Sequence, residues 1–266
     1  MVEIDWLYET PLWLGWLACL AGLLIAVELG FRLGLRRWRI EQADAKKTLR
    51  GDVTLGSMLA LLGLLLAFTY AFSLGRADMR KQAIVQEANA IGTAFLRAGL
   101  AAEPGRSELR DGLLAYARTR LVSEDVYGAS QQAAVQRSLE AQARLWPAME
   151  RALSPDPPGP LQALLVQSVN EVLDAHAVRI AAVNDRIPGA VLGLLLAVAA
   201  ASLAVAAYNA SLNGSSSRWR LGTFALILAA LMLVIVDFDR GQTGLIRVSL
   251  QPLAVVIEDL ERQVAD

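Results

Sequence analysis

Residues 189–210 read Gly-Ala-Val-Leu-Gly-Leu-Leu-Leu-Ala-Val-Ala-Ala-Ala-Ser-Leu-Ala-Val-Ala-Ala-Tyr-Asn-Ala, without a single charge. A helix of about 20 such residues crosses roughly 30 Å of hydrocarbon. Three further apolar runs have the same character: Leu12 to Phe31, Thr54 to Leu74 and Leu221 to Val236. The last reaches spanning length over 218–237 with Arg218, Trp219 and Asp237 in the interfaces. Composition agrees: 55 % of the 266 residues are hydrophobic, above the roughly 45–50 % of soluble chains. The 25 Lys and Arg against 26 Asp and Glu leave a net charge of −1, which provides no basic footprint for nucleic acid. The one cysteine, Cys19, cannot form an intramolecular disulfide or a thiolate cluster.

The first run is preceded by Glu3, Asp5 and Glu9. A cleaved signal peptide has a basic leader and a shorter apolar stretch, so this run reads as a retained helix. Orientation follows the Lys and Arg near the span ends. Seven lie between spans one and two (Arg32, Arg36, Arg37, Arg39, Lys46, Lys47 and Arg50), and Arg218 and Arg220 lie between spans three and four. Both connections place a Trp between arginines, Arg37-Trp38-Arg39 and Arg218-Trp219-Arg220, which suits one shared headgroup layer. These connections are therefore expected in the cytoplasm, with both termini and the long segment between spans two and three facing outward. Arg76, Arg80, Lys81, Arg179 and Arg186 flank the outer ends and count against this orientation.

The long insert, Arg76 to Ile187, balances 13 basic against 13 acidic residues and shows no strand alternation. Ile84, Ala88, Ile91, Phe95 and Ala98 alternate spacings of four and three, a coiled-coil seam continuing span two. Leu165, Val169, Val172, His176, Ile180, Val183 and Ile187 form a matching stripe running into span three. Two shorter helices are expected between these arms. One runs from Ser107, as its cap, to Glu124, and the other from Ser130 to Leu153 with a kink at Pro147. Ser154-Pro155-Asp156-Pro157-Pro158-Gly159-Pro160 ends the second. The expected fold is an all-α polytopic membrane protein with four transmembrane helices and a four-helix extramembrane bundle inserted between helices two and three. Its parts are a hairpin over 1–75, the bundle over 76–187, a hairpin over 188–237 and a tail over 238–266. In that tail Gly244 to Ser249 is partly β-prone, and Pro252 opens an amphipathic helix with Leu253, Val256, Ile257, Leu260 and Val264 on one face.

Several groups of residues carry two readings. Gly189, Gly193, Ala197 and Ala201, one turn apart, suit either packing within the chain or a subunit interface or pore wall. Asp237 and Asp239, with Arg240, would form a charged pore mouth in a ring of identical subunits, or would pair with Arg240 or Arg247 and pin the tail. Glu28 and Arg32 suit an interfacial salt bridge or a gate. Thr69, Tyr70 and Ser73 would face a water-filled path or bond between helices. His176, the only histidine, would act as a pH switch with Glu87 or Asn89 on the facing arm, or serve as a structural histidine. There is no phosphate-binding loop, nucleophile elbow or metal-binding His pair in the sequence, so no enzyme, metal or cofactor is expected.

At Gly63-Leu64-Leu65-Leu66-Ala67-Phe68-Thr69, Glu87-Ala88-Asn89-Ala90-Ile91-Gly92-Thr93-Ala94, and Asp239-Arg240 followed by Gly244-Leu245-Ile246-Arg247-Val248-Ser249, the chain resembles the bacterial bestrophin-like domain family. More distantly it is similar to bestrophins, pentameric ion channels with four principal membrane helices and a large cytosolic helical domain per subunit. The charge distribution here puts the insert on the opposite side. The resemblance implies a homo-oligomer in the lipid bilayer of the bacterial inner membrane, a ring of four or five subunits passing inorganic ions, and with the orientation above it puts both termini and the insert in the periplasm. The alternative is a non-conducting envelope sensor or scaffold whose insert binds a partner or ligand.

Overall fold

The structure, a computed structural model, describes residues 10–41, 53–121, 129–153, 159–212, 218–240 and 244–265. Among them every regular element is an α-helix: α1 (Leu12–Glu41), α2 (Val53–Ala98), α3 (Gly105–Thr119), α4 (Ala129–Ala143), α5 (Leu145–Ala152), α6 (Pro160–Asn184), α7 (Gly189–Leu212), α8 (Arg218–Arg240) and α9 (Gln251–Ala265). Four stretches are long and apolar enough to cross a membrane; they lie in α1, α2, the segment Pro160–Leu212 that contains α7, and α8. Glu3, Asp5, Trp6, Glu9, Lys46, Lys47, Arg50, Glu124 and the proline-rich residues 154–158 lie outside the described residues. The chain forms two compact units, Met1–Gly75 with Arg186–Arg240, and Arg76–Asp185 with Gly241–Asp266.

In the first unit α1 packs chiefly on α7 and also on α8. Leu23, Val27 and Phe31 of α1, Leu195, Ala199, Leu203 and Ala207 of α7, and Ala225, Leu228, Ala229 and Ile235 of α8 form its core. Two glycines make the α1–α7 seam possible. A Cβ at Gly30 would overlap the Ala204 backbone, and one at Gly34 would overlap the Tyr208 carbonyl and the Ser211 hydroxyl. Where lipid removes the hydrophobic drive between helices, such close backbone packing holds them together. Of the small residues one turn apart in span three, Ala197 and Ala201 are exposed, and nothing lies within 4 Å of a Cβ built at Gly193. The spanning half of α2 buries only a narrow stripe, with Leu62, Thr69 and Ser73 fully covered.

The second unit gathers Ile84, Ala88, Ile91 and Phe95 of α2, Leu109, Leu113 and Tyr116 of α3, Leu145 and Met149 of α5, and Leu165, Val169 and Val172 of α6. Leu253, Ile257 and Leu260 of α9 complete this core. The amphipathic tail therefore belongs to the same unit as the insert. Arg118 pairs with Glu261 at 2.7 Å, and Arg110 donates to the Gln263 carbonyl at 3.1 Å while stacking on Phe95.

Four expectations about this unit are corrected. The helix drawn from Ser130 to Leu153 is two helices broken at Arg144, because Pro147 cannot donate and its ring crowds the carbonyl of Ala143 four residues earlier. Ser107 does not cap α3, which begins at Gly105; instead the Glu103 carboxylate accepts from the Ser107 hydroxyl at 2.8 Å and its amide at 3.3 Å. The stripe drawn continuously to Ile187 stops at Asn184, and residues 185–188 are not helical. Pro188 drives the preceding residue out of the helical region. The freed end of α6 is held by α2: Arg80 donates to the carbonyls of Ala182 at 3.0 Å and Asp185 at 2.8 Å, and Arg76 pairs with the Asp185 carboxylate at 3.0 Å. Gly244 to Ser249 forms no strand.

Candidate functional site

The most concentrated chemistry lies inside the second unit, where α2, α3 and α6 carry polar residues into an otherwise apolar core. Glu87 follows Ile84 by three residues and precedes Ile91 by four, which keeps it in phase with the seam and gives it 0 % exposure. One of its oxygens, Oε1, accepts from the Tyr116 hydroxyl at 2.6 Å and from Arg120 Nε at 2.9 Å. The other, Oε2, accepts from Arg179 Nη1 at 2.6 Å. His176 Nδ1 lies 3.0 Å from the Tyr116 oxygen and 3.9 Å from Glu87. With the Tyr116 proton committed to Glu87, its oxygen accepts from His176, and this bookkeeping puts the imidazole proton on Nδ1. Arg120 Nη1 reaches Ser138 of α4 at 3.2 Å, and Ser138 donates to Thr119 at 3.2 Å.

The electrostatics follow from two buried guanidiniums facing one buried carboxylate. Burial disfavours the ionised Glu87, but Arg120, Arg179 and the Tyr116 hydroxyl outweigh it and hold the carboxyl below its ordinary range. Burial, and next the Glu87 charge, push the Tyr116 hydroxyl far above its usual value. Burial and then Arg120 depress His176 more than Glu87 raises it, so the imidazole is neutral. Of the histidine seam residues named from the sequence, Glu87 and His176 come together through Tyr116, while Asn89 is exposed and away from them.

Tyr116, Arg120 and Arg179 were not singled out from the sequence as chemistry-bearing, yet a signal existed. Arg120 sits one turn beyond Tyr116, and Arg179 three residues beyond His176, both in the phase of an apolar face. A charge at a core phase needs a buried partner.

In the first unit the polar residues are engaged within the chain. Ser73 donates to the Ile235 carbonyl of α8 at 2.7 Å, Thr69 to the Leu65 carbonyl of its own helix at 2.7 Å, and Tyr70 meets Phe238 edge-on at 5.9 Å. Asp237 and Asp239 are 2 % and 1 % exposed, and Arg240 is half-buried. Asp239 accepts from the Ile187 amide at 3.0 and 3.2 Å, just ahead of α7. Glu28 is bound by Arg32 at 2.7 Å and Arg218 at 3.5 Å, and Arg218 stacks on Phe31 at 4.3 Å. Among the described residues no group of three His, Cys, Asp or Glu is arranged to hold a metal.

With this geometry in view, a family model described as Bestrophin-like domain matches residues 22–253, and the chain belongs to that family. The fold is similar to crystal structures of mutant forms of a bacterial bestrophin homolog from Klebsiella pneumoniae. One aligns with a TM-score of 0.60 at 13 % identity over 92 % of this chain and 97 % of its own, another with 0.61 at 12 % over 93 % and 99 %. At that identity the likeness concerns the fold. No curated protein matches the sequence.

Proposed function

We propose that the chain is one subunit of a homo-oligomeric ring of four or five copies that passes inorganic ions, with the spanning half of α2 lining the path. The observation that carries this reading is the surface of α2. Leu61, Leu64, Phe68 and Phe72 fall within about 80° of one another on the helix and are all exposed, by 49 to 68 %. Opposite faces of α2 therefore serve different ends, one bonded to α8 through Ser73 and one unpartnered within the chain. Rings of such apolar side chains conduct only when wetted, a known way to gate. Membership of the Bestrophin-like domain family supports the same reading.

In this reading Asp239 holds the start of α7 and does not face ions, and Glu28 is a clamp at the end of α1. The exposed series Gly193, Ala197 and Ala201 suits a contact between copies. The orientation follows the arginine-tryptophan connections, with the termini and the Arg76–Asp185 unit periplasmic; Arg80 and Arg179, which counted against it, are spent on partners inside their own unit. No catalytic role is assigned.

The test is cryo-electron microscopy in lipid together with planar-bilayer recording of the purified protein. A closed ring with an axial opening and a current supports the channel. A monomer or dimer without an axial path overturns it, and a closed ring without current favours the scaffold.

A further inference from the structure

Among the described residues, the end of α1 joined to α8 carries more positive charge than it has carboxylates to neutralise. Glu28, Arg32, Arg36 and Arg39 fall within about 80° of one another on α1, and Arg218 from α8 is drawn onto the same face by Glu28 and Phe31. Four guanidiniums thus share a face with one carboxylate, and Glu28 is already divided between Arg32 and Arg218. Arg36 and Arg39 lie about 12 and 16 Å farther along the axis, beyond its reach, and both are exposed.

Beside this row runs an apolar one. Leu29, Leu33 and Ile40 are 55, 57 and 72 % exposed and fall about 20–120° round the helix from the arginines. Trp219, next to Arg218, is 73 % exposed, as suits an indole at headgroup level.

We propose that this face is a binding site for an anionic phospholipid. The phosphodiester is taken by Arg36 and Arg39 with Arg218 at the edge, and an acyl chain lies along Leu29 and Leu33. Guanidiniums recognise phosphate oxygens through paired N–H donors. A free phosphate would use the arginines alone and leave the apolar row uncovered. The site depends neither on ion conduction nor on which leaflet the face occupies.

The full-length protein, held on a resin through an affinity tag, is equilibrated with detergent micelles containing equal phosphatidylglycerol and phosphatidylcholine, washed, and its retained lipid extracted and quantified. Phosphatidylglycerol is expected in excess by on the order of tenfold, each surface arginine contributing roughly fivefold. In Arg36→Gln/Arg39→Gln the excess disappears, whereas Arg137→Gln on α4 with Arg144→Gln just after it keeps the excess. Equal retention by the unaltered protein, an excess that survives the α1 substitutions, or displacement of the lipid by millimolar inorganic phosphate each overturns the proposal. Should the α1 variant fail to fold, a salt series on the unaltered protein decides. The excess must fall toward unity near 1 M salt, where screening acts within about 3 Å, and indifference to salt overturns the assignment.

Discussion

Glu87 is the residue on which the polar core of the second unit turns. Its replacement by Gln keeps the shape but leaves Arg120 and Arg179 buried without a counter-charge, a loss of about 3–5 kcal/mol. Tyr116→Phe removes only hydrogen bonds and costs about 1–3 kcal/mol. Denaturant unfolding of the two variants should show that order, and equal losses would mean that the ion pairs are not what Glu87 supplies. The pH dependence has a definite sign. His176 has its pKa lowered from 6.5 on folding, so the unfolded chain takes up the proton first. Its contribution is full above pH 6.5 and declines as the pH falls below that value. Glu87, lowered from 4.5, adds stability that is full above pH 4.5 and is lost as the pH drops through its folded pKa. The melting temperature should therefore fall in two stages on acidification, and His176→Asn, whose amide can still donate to Tyr116, should abolish the upper one. A melting temperature that rises between pH 7 and 6 would contradict this account. The seam position of His176 and Glu87 was legible in the sequence. The hydroxyl between them and the two guanidiniums around them were not, because periodicity gives the face of one helix and not which faces meet.

At the scale of elements, helices were written in the residues and their meeting faces were not. Every span expected from hydropathy is helical, since about twenty apolar residues in lipid have no other way to satisfy their backbone. The choice of seam went differently. Span three offered small residues at regular intervals, but α1 supplies the close approach through Gly30 and Gly34. Gly30→Val should thus destabilise the detergent-solubilised protein by about 1–3 kcal/mol or prevent its folding, while Gly193→Val in the same detergent should stay within about 0.5 kcal/mol. Thermal melting separates the two, and a benign Gly30→Val would disprove the seam. The turn into α7 carries a similar contrast. Asp239→Ala strips the acceptor from the Ile187 amide and should cost about 1 kcal/mol, and Asp239→Asn, which retains an acceptor, should cost less.

For the molecule as a whole, two measurements bear on the proposed function. In a Cys19→Ser background, a cysteine at the exposed Val255 of α9 should react with a membrane-impermeant maleimide added to intact cells if the tail is periplasmic. Labelling only after lysis would reverse the orientation. Phe68→Ala with Phe72→Ala should raise single-channel conductance if α2 lines the path, and an unchanged current would remove α2 from it. Read alone, the amino-acid sequence determined that the protein is a helical membrane protein with four apolar stretches long enough to span and a charge-balanced insert, because hydropathy and period are local properties of the chain. Only the tertiary structure decided that the tail completes the core of the second unit, that Pro188 separates α6 from α7, and that Glu87 holds two arginines. Each of these depends on groups distant in sequence being brought within bonding distance, and the energy of a buried charge is set by what surrounds it.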